Sequence, residues 1–116
     1  MPTTMTRSER EEFLAGVHVG ILSVNQPPHG PLTVPVWYSS VPGGPVSVMS
    51  PAQSQKALCI NESGRFSLCV QSEAPPYKHV SVEGPPAATV AQSEGEVTYR
   101  MMPEVWRTAG ILKAMT

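Results

Sequence analysis

Short stretches in which apolar side chains alternate with small or polar ones recur along this chain. This period of two is typical of half-buried β-strands. The clearest case is Phe66–Gln71, where Phe66, Leu68 and Val70 share one face. Ala87–Ala91 has no clear period and is ambiguous. The pattern predicts six strands: Val17–Val24, Pro31–Ser40, Val46–Met49, Phe66–Gln71, Tyr77–Glu83 and Glu96–Met102.

Two short helices are predicted from residues suited to their ends. Two overlapping pairs with capping-box spacing, Ser8 with Glu11 and Thr6 with Glu9, introduce the first helix, which is predicted at about Ser8–Ala15. The second helix, Ser54–Ser63, has Ser54 at its N-cap and Gly64 just after its end. A helix, three strands, a second helix and then further strands is an order typical of an antiparallel barrel with small helices at its ends, not of alternating βαβ units.

The composition fits one modest domain. The chain has 116 residues, enough for a single core, so residues 1–116 are interpreted as one domain. Its 8 Lys and Arg and 9 Asp and Glu are scattered, without the basic run that nucleic-acid binding would require. Its apolar runs are too short to span a membrane and its polar N-terminus is unlike a secretory signal, so a cytoplasmic protein is expected. Cys59 and Cys69 are then expected to be reduced, small hydrophobic side chains rather than metal ligands.

The start of the second predicted helix combines features of an anion site. The first turn of a helix has backbone N–H groups without partners and a partial positive charge. Here the hydroxyls of Ser50 and Ser54 and the ammonium of Lys56 lie close to that turn in the sequence. The segment is therefore a candidate phosphate seat. Taken alone, it is more simply an ordinary capped helix with a solvated lysine.

The strand Pro31–Ser40 is interrupted by Pro35, which cannot donate a backbone hydrogen bond and therefore belongs at an edge or a bulge. Trp37 and Tyr38 follow it and point to opposite faces of the strand. One ring can enter the core while the other lines a cleft along which a flat heteroaromatic molecule could bind. The alternative is that both rings pack in the core or in a dimer contact.

The remaining candidate chemistry is weaker. Tyr77, Lys78 and His79 open a predicted strand, and Lys78 and His79 point to opposite faces of it. Pro103–Arg107 is predicted to be a turn that presents Trp106. No Ser/His/Asp or Cys/His arrangement stands out, so no catalytic residue and no metal ligand is assigned.

The order of several short motifs resembles a known family. The motifs are Gly-Ile-Leu-Ser-Val at 20–24, Pro-Val-Trp-Tyr at 35–38, Ser-Gln-Lys at 54–56, Arg-Phe-Ser-Leu-Cys-Val-Gln at 65–71 and Tyr-Lys-His-Val-Ser-Val-Glu-Gly at 77–84. Together they are similar to the pyridoxamine 5′-phosphate oxidase-like split-barrel superfamily. More narrowly, they resemble its actinobacterial flavin and deazaflavin oxidoreductases, many of which use coenzyme F-420. The resemblance runs from about residue 8 to 84 and resumes at about 96–113.

The resemblance implies a six-stranded antiparallel split β-barrel that forms a homodimer with cofactor clefts at the dimer interface. The implied cofactor is F-420 or FMN, and the implied activity is hydride transfer to or from a small organic substrate. Relatives often carry Arg or Lys where this chain has glutamine at position 55. The residues that match cofactor-contacting positions of the family are Pro35, Val36, Trp37, Ser50, Ser54, Gln55, Lys56, Tyr77, Lys78 and Trp106.

One departure from the family keeps alternatives open. Relatives carry a longer segment with a helix between the fifth and sixth predicted strands, whereas residues 91–96 join them almost directly here. In relatives that segment helps to wall the cofactor cleft. The alternatives to an enzyme are a non-catalytic barrel that binds flavin, F-420 or haem, and a purely structural dimeric barrel. The basic residues available to hold the longer anionic tail of F-420 are Lys56, Arg65, Lys78 and Arg100.

Overall fold

The structure is a computed structural model that describes residues 5–16, 19–74, 77–91 and 95–109. Within those residues it contains two helices and eight strands. No described helix is both long enough and apolar enough to cross a membrane. In chain order the elements are α1 (Arg7–Ala15), β1 (Val19–Gln26), β2 (His29–Ser40), β3 (Val46–Pro51), α2 (Gln55–Ser63), β4 (Phe66–Gln71), β5 (His79–Gly84), β6 (Pro86–Ala91), β7 (Glu96–Met101) and β8 (Val105–Ala109).

The eight strands form one antiparallel sheet in the order β6-β7-β3-β2-β1-β4-β5-β8. Side chains from distant strands of this order, such as Tyr99 of β7 and Val82 of β5, belong to a single buried core. A flat sheet would keep these side chains apart, so the sheet curls around the core. The alternation that predicted β4 places Phe66, Leu68 and Val70 in that core.

The expected mainly β, antiparallel architecture is confirmed, but the predicted number of six strands is too low. The ambiguous Ala87–Ala91 belongs to β6, which pairs with β7. The predicted turn Pro103–Arg107 is wrong from Val105 onward, because Val105 begins β8 along β5. Trp106 therefore lies opposite Val82 in a strand rather than in a turn. A strand of 5 residues is too short for its alternation to stand out in the sequence, and pairing with β5 decides its conformation.

Some boundaries also differ from the prediction. The turn between β1 and β2 is shorter than expected, since both strands extend into it. β5 begins at His79, so Tyr77 and Lys78 precede the strand instead of opening it. Residues 17–18 of the first predicted strand, and residues 92–94 of the predicted short connection near 91–96, lie outside the described residues.

Both predicted helices are present and are capped by residues of the predicted types. Thr6, rather than Ser8, is the N-cap of α1: its hydroxyl accepts from the Glu9 N–H at 3.2 Å, and the Glu9 carboxylate accepts from the Thr6 N–H at 2.8 Å. Ser54 caps α2 through its hydroxyl. Gly64 ends α2 with a φ of 71°, a left-handed conformation that favours glycine.

A buried tyrosine fixes α2 against the sheet. The Tyr99 hydroxyl on β7 donates to Asn61 Oδ1 at 2.8 Å and lies 3.3 Å from the Ala57 carbonyl oxygen. Ala57 and Ile60 of the same helix are buried in the core. The first turn of α2, which carries Lys56, is therefore held next to β7 and β3.

Candidate functional site in the cleft between β2 and β3

Strands β2 and β3 pair over a short length and then separate. The pairing joins Tyr38–Ser40 to Val46–Val48. Upstream, Pro35–Trp37 pairs with β1, and no strand of the described residues pairs with its other side. Backbone polar groups that lack a strand partner require another partner. The separation of the two strands thus leaves a backbone edge open to whatever occupies the gap.

A cleft of about 620 Å³ lies in this gap. That volume falls within the ordinary range for small-molecule sites. Its walls come from the open edge of β2, from β3 and β7, and from the first turn of α2. Of the predicted site residues, four line this cleft: Pro35, Val36, Trp37 and Lys56. The structure therefore brings the predicted strand edge and the predicted helix-tip cation to one cavity.

Two cationic side chains line the cleft. Lys56 and Arg100 both line it, and within the described residues neither forms an ion pair. Among the described arginines outside the cleft, Arg7, Arg65 and Arg107 pair with glutamates, and Arg10 lies over the Trp106 ring. No carboxylate is found among the described residues that line the cleft. An uncompensated pair of cations in a cavity favours an anionic ligand.

Thr98 is a lining residue that the sequence did not point to. It is only 3% exposed, and its Oγ1 is buried without a hydrogen-bond partner within the described structure. The alternation of β7 could have assigned Thr98 and Arg100 to one face, since Val97 and Tyr99 are core residues. Which cavity that face meets depends on the separation of β2 from β3, which sequence does not reveal. The other lining residues that sequence reasoning missed are Ser39, Ser47 and Met49. Tyr38, one of the two aromatic residues that the sequence singled out on this strand, also lines the cleft.

Three predicted residues near the helix tip do not line this cleft. Ser50 is 1% exposed, and its hydroxyl lies 2.6 Å from that of Ser54 and 3.1 Å from the Pro51 carbonyl oxygen. Ser54 also accepts the N–H that closes the first turn of α2. Gln55 is exposed and lines a different hollow, beside the turn between β1 and β2. The two serine hydroxyls therefore build the helix start, while Lys56 reaches the cleft.

The adjacent aromatic residues on β2 point to opposite faces, as predicted. Trp37 is 74% exposed and lines the cleft. Tyr38 is half-buried, and its hydroxyl donates to the Leu14 carbonyl oxygen at 2.7 Å. Burial raises the pKa of Tyr38 to about 12, so its phenol is not an acid–base group near neutral pH. Trp37 is the ring available to a ligand, and Tyr38 anchors α1 to the sheet.

The predicted residues Tyr77, Lys78 and Trp106 are not brought to the cleft within one chain. The Lys78 ammonium lies 6.0 Å from the centre of the Phe13 ring. Trp106 lies under the Arg10 guanidinium, whose central carbon is 4.2 Å from the ring centre. A role for these three residues at a cofactor stays a prediction, and it would require a second chain.

Solved structures with the same fold include three that share little sequence with this chain. A protein named F420 reductase has a TM-score of 0.74 and 17% identity, over 84% of this chain and 94% of its own. An FAD-binding protein from Mesorhizobium loti has a TM-score of 0.76 and 18% identity, over 91% and 93%. A Listeria innocua protein that bears the name of a pyridoxamine 5′-phosphate oxidase has a TM-score of 0.76 and 12% identity, over 88% and 96%. No family model and no curated protein matches the chain.

These similarities show the fold. The chain has the split-barrel fold of the pyridoxamine 5′-phosphate oxidase-like proteins, as its motifs implied. The cleft combines an open backbone edge at Pro35–Trp37, an exposed indole, and Lys56 at a helix tip. The unpartnered hydroxyl of Thr98 adds a further polar group at the same cavity.

Proposed function

We propose that this chain is a flavin- or deazaflavin-dependent oxidoreductase that binds FMN or coenzyme F-420 in the cleft between β2 and β3. The observation that carries the proposal is the convergence of Lys56, at the tip of α2, with the open edge of β2 in one cavity. Similarity in fold to a protein named F420 reductase and to an FAD-binding protein supports the same class of ligand.

The residues of the cleft suit binding more than acid–base chemistry. Lys56, in the first turn of α2, neutralises a phosphate. The edge of β2 from Val36 to Trp37 offers backbone groups to the polar rim of the ring, and the Trp37 indole packs beside it. When bound, the cofactor supplies hydride transfer, and the protein orients it and excludes water.

A second copy of the chain completes the proposed site. Exposed apolar side chains lie in the cleft and on the adjacent strand β1, and each is at least 40% exposed in one chain: Trp37 and Met49 line the cleft, and Val19 and Ile21 lie on β1 opposite Trp37 and Pro35. A homodimer would bury this surface, as the resemblance implies. It would also give Tyr77, Lys78 and Trp106 a route to the cofactor of the partner. A cytoplasmic location remains part of this proposal.

A non-catalytic binding protein is the second candidate. The described residues that line the cleft include no carboxylate, histidine or thiol, the side chains most often used as general bases. The same cleft on this barrel would then store or shield a flavin, F-420 or haem. Turnover separates the two candidates.

Titration of the purified protein with FMN and with F-420 tests binding, read by ligand absorbance and tryptophan fluorescence. Binding should quench Trp37, so Trp37→Phe should remove much of the quenching that the wild-type protein shows. Lys56→Ala should weaken binding by roughly 1.5–3 kcal/mol, the range for hydrogen bonds to charged groups. Failure of both ligands to bind contradicts the proposal.

Hydride transfer is tested separately on the loaded protein. The bound cofactor is reduced and mixed with a conjugated enone, and its reoxidation is followed by stopped-flow absorbance without oxygen. Reoxidation that depends on the enone and on the protein supports the oxidoreductase. Tight binding without such reoxidation supports the binding protein instead.

A further inference from the structure

We infer that Thr98 and Arg100, on the β7 side of the cleft, hold a phosphoryl group of the bound molecule together with Lys56. The inference rests on the proposed function for the identity of that molecule. The anion site itself is argued from the register, burial and charge of the β7 residues.

The register of the sheet directs both side chains to the cleft. In the β3–β7 ladder, Met49 lies opposite Thr98 and Ser47 lies opposite Arg100. All four residues line the cleft. The intervening Tyr99 faces the core, as the alternation of a strand requires. Thr98 and Arg100 are thus successive cleft-facing positions of one strand.

Thr98 is anomalous among the residues of this face. Met49, directly opposite, is 51% exposed, whereas Thr98 is 3% exposed and its hydroxyl has no partner within the described structure. Leaving a buried hydroxyl unpaired is unfavourable, and such groups in native proteins call for an explanation. A ligand oxygen at the cleft supplies the missing partner, since rotation about the Cα–Cβ bond exchanges the positions of hydroxyl and methyl group.

Arg100 indicates the chemical class of ligand that this site binds. Its guanidinium has no ion-pair partner in the part of the chain that is described, and no carboxylate there lines the cleft. A guanidinium is a planar fork of donors that matches the oxygens of a phosphoryl group. With Lys56 on the helix side and Arg100 on the sheet side, two cations flank the cavity, which favours a phosphoryl group over a neutral ligand.

The first test compares FMN with riboflavin, which has the same ring but no phosphate. Arg100→Gln should weaken FMN binding at least about tenfold and leave riboflavin binding unchanged. The matched variant is Arg107→Gln, which removes an arginine that pairs with Glu83 outside the cleft. It should change neither affinity. Equal loss for both ligands, or no loss for FMN, overturns the assignment of Arg100.

The second test uses a substitution that should raise the stability of the free protein and lower its affinity for FMN. Thr98→Val removes the unpartnered hydroxyl at nearly constant shape, so the free protein should melt at a higher temperature while FMN binds more weakly. Thr108→Val is the control, because the Thr108 hydroxyl accepts from the Met5 N–H at 3.1 Å. That variant should lower the melting temperature and leave FMN affinity unchanged. A lower melting temperature or unchanged FMN affinity for Thr98→Val contradicts the role of Thr98.

Inorganic phosphate distinguishes failure of this inference from failure of the proposed function. If FMN and F-420 do not bind, the proposed function is lost. The anion site then stands if phosphate still raises the melting temperature of the wild-type protein and does so less for Arg100→Gln. If FMN, F-420 and phosphate all leave the wild-type protein unchanged, both proposals are wrong.

Discussion

Two regions of this molecule use arginine in opposite ways. In the cleft, Arg100 has no ion-pair partner among the described residues. On the β4–β5–β8 side, Arg65 lies 2.9 Å from Glu104 and 3.5 Å from Glu83, and Arg107 lies 3.0 Å from Glu83. We call these four residues the paired cluster. An arginine whose charge is already matched contributes to structure, whereas one left unmatched in a cavity is available to a ligand.

The paired cluster also shows what satisfied charges do to ionisation. The hydrogen bond from Arg107, with a weaker one from Arg65, holds the pKa of Glu83 below its usual value. These groups are solvent-exposed, so the contribution of each pair to stability is small. No described residue of the cleft forms such an ion pair with Arg100. The difference between the regions lies in their partners rather than in the kind of residue.

Placing a carboxylate in the cleft should pair its cations internally, as the arginines of the paired cluster are. Met49→Glu puts an acid beside Thr98, where it pairs with the cleft cations and repels phosphate. FMN affinity should fall by about a hundredfold, the scale of one lost charged hydrogen bond plus repulsion. The variant should remain folded, because Met49 is 51% exposed. Met102→Glu is the matched control, since Met102 is 47% exposed and lies outside the cleft. If Met49→Glu binds FMN as tightly as the wild-type protein does, the charges of the cleft do not determine its affinity for FMN.

Removing the two helix caps should have similar effects on stability and different effects on binding. Ser54→Ala and Thr6→Ala each delete a hydroxyl that accepts a first-turn N–H at 3.2 Å. Each should lower the free energy of unfolding by about 1 kcal/mol, measured by denaturant titration. Only Ser54→Ala should also weaken FMN binding, because α2 presents Lys56 whereas α1 lies outside the cleft. Equal FMN affinities in the two variants would contradict this link.

Tyr38 belongs to the cleft wall and to the anchor of α1, and its ionisation tests the anchor. Tyr38→Phe removes the hydrogen bond to Leu14 and should cost about 1 kcal/mol at neutral pH. The folded pKa is raised from 10.0 to about 12, so above pH 10 the unfolded state loses its proton first and the wild-type protein loses stability. The variant lacks this loss. The difference in unfolding free energy should therefore narrow as pH rises above 10 and then change sign, because a shift of this size outweighs about 1 kcal/mol. A difference that stays constant with pH would refute the assignment.

The smallest expected effect is in the paired cluster. Because the folded pKa of Glu83 is lowered, its contribution to stability is present above the ordinary pKa and is lost as pH falls through the folded value. Glu83→Gln should slightly lower the melting temperature at neutral pH, and the difference should vanish in strong acid. FMN affinity should be unchanged at neutral pH. A large loss of FMN affinity would mean that the two regions are coupled and that their contrast is misleading.

Local signals predicted a large part of the fold. The alternation at Phe66–Gln71 gave β4 with its observed bounds, and Ser54 and Gly64 bracketed α2. Signals were absent where pairing decides the conformation. β6 has no clear period, and β8 is too short to show one, so the strand count was underestimated.

The candidate site was predicted in the same uneven way. Pro35 was predicted from the interruption of a strand and Lys56 from its position at a helix start, and both line the cleft. Thr98 gave no signal, because its significance is a missing hydrogen bond in a buried position. Family resemblance also pointed to Tyr77, Lys78 and Trp106, which one chain does not bring to the cleft. Their predicted role depends on a second copy, which sequence cannot position.

The sequence by itself determined the features that depend on near neighbours: the caps of both helices, the alternation of most strands, and the proline in β2. The tertiary structure alone decided where β2 and β3 separate and which cationic side chains form ion pairs with a carboxylate. The physical reason is that pairing brings together residues far apart in the chain, such as Ser47 and Arg100. Whether a charged side chain forms an ion pair or stays available to a ligand therefore depends on which residues the fold places beside it.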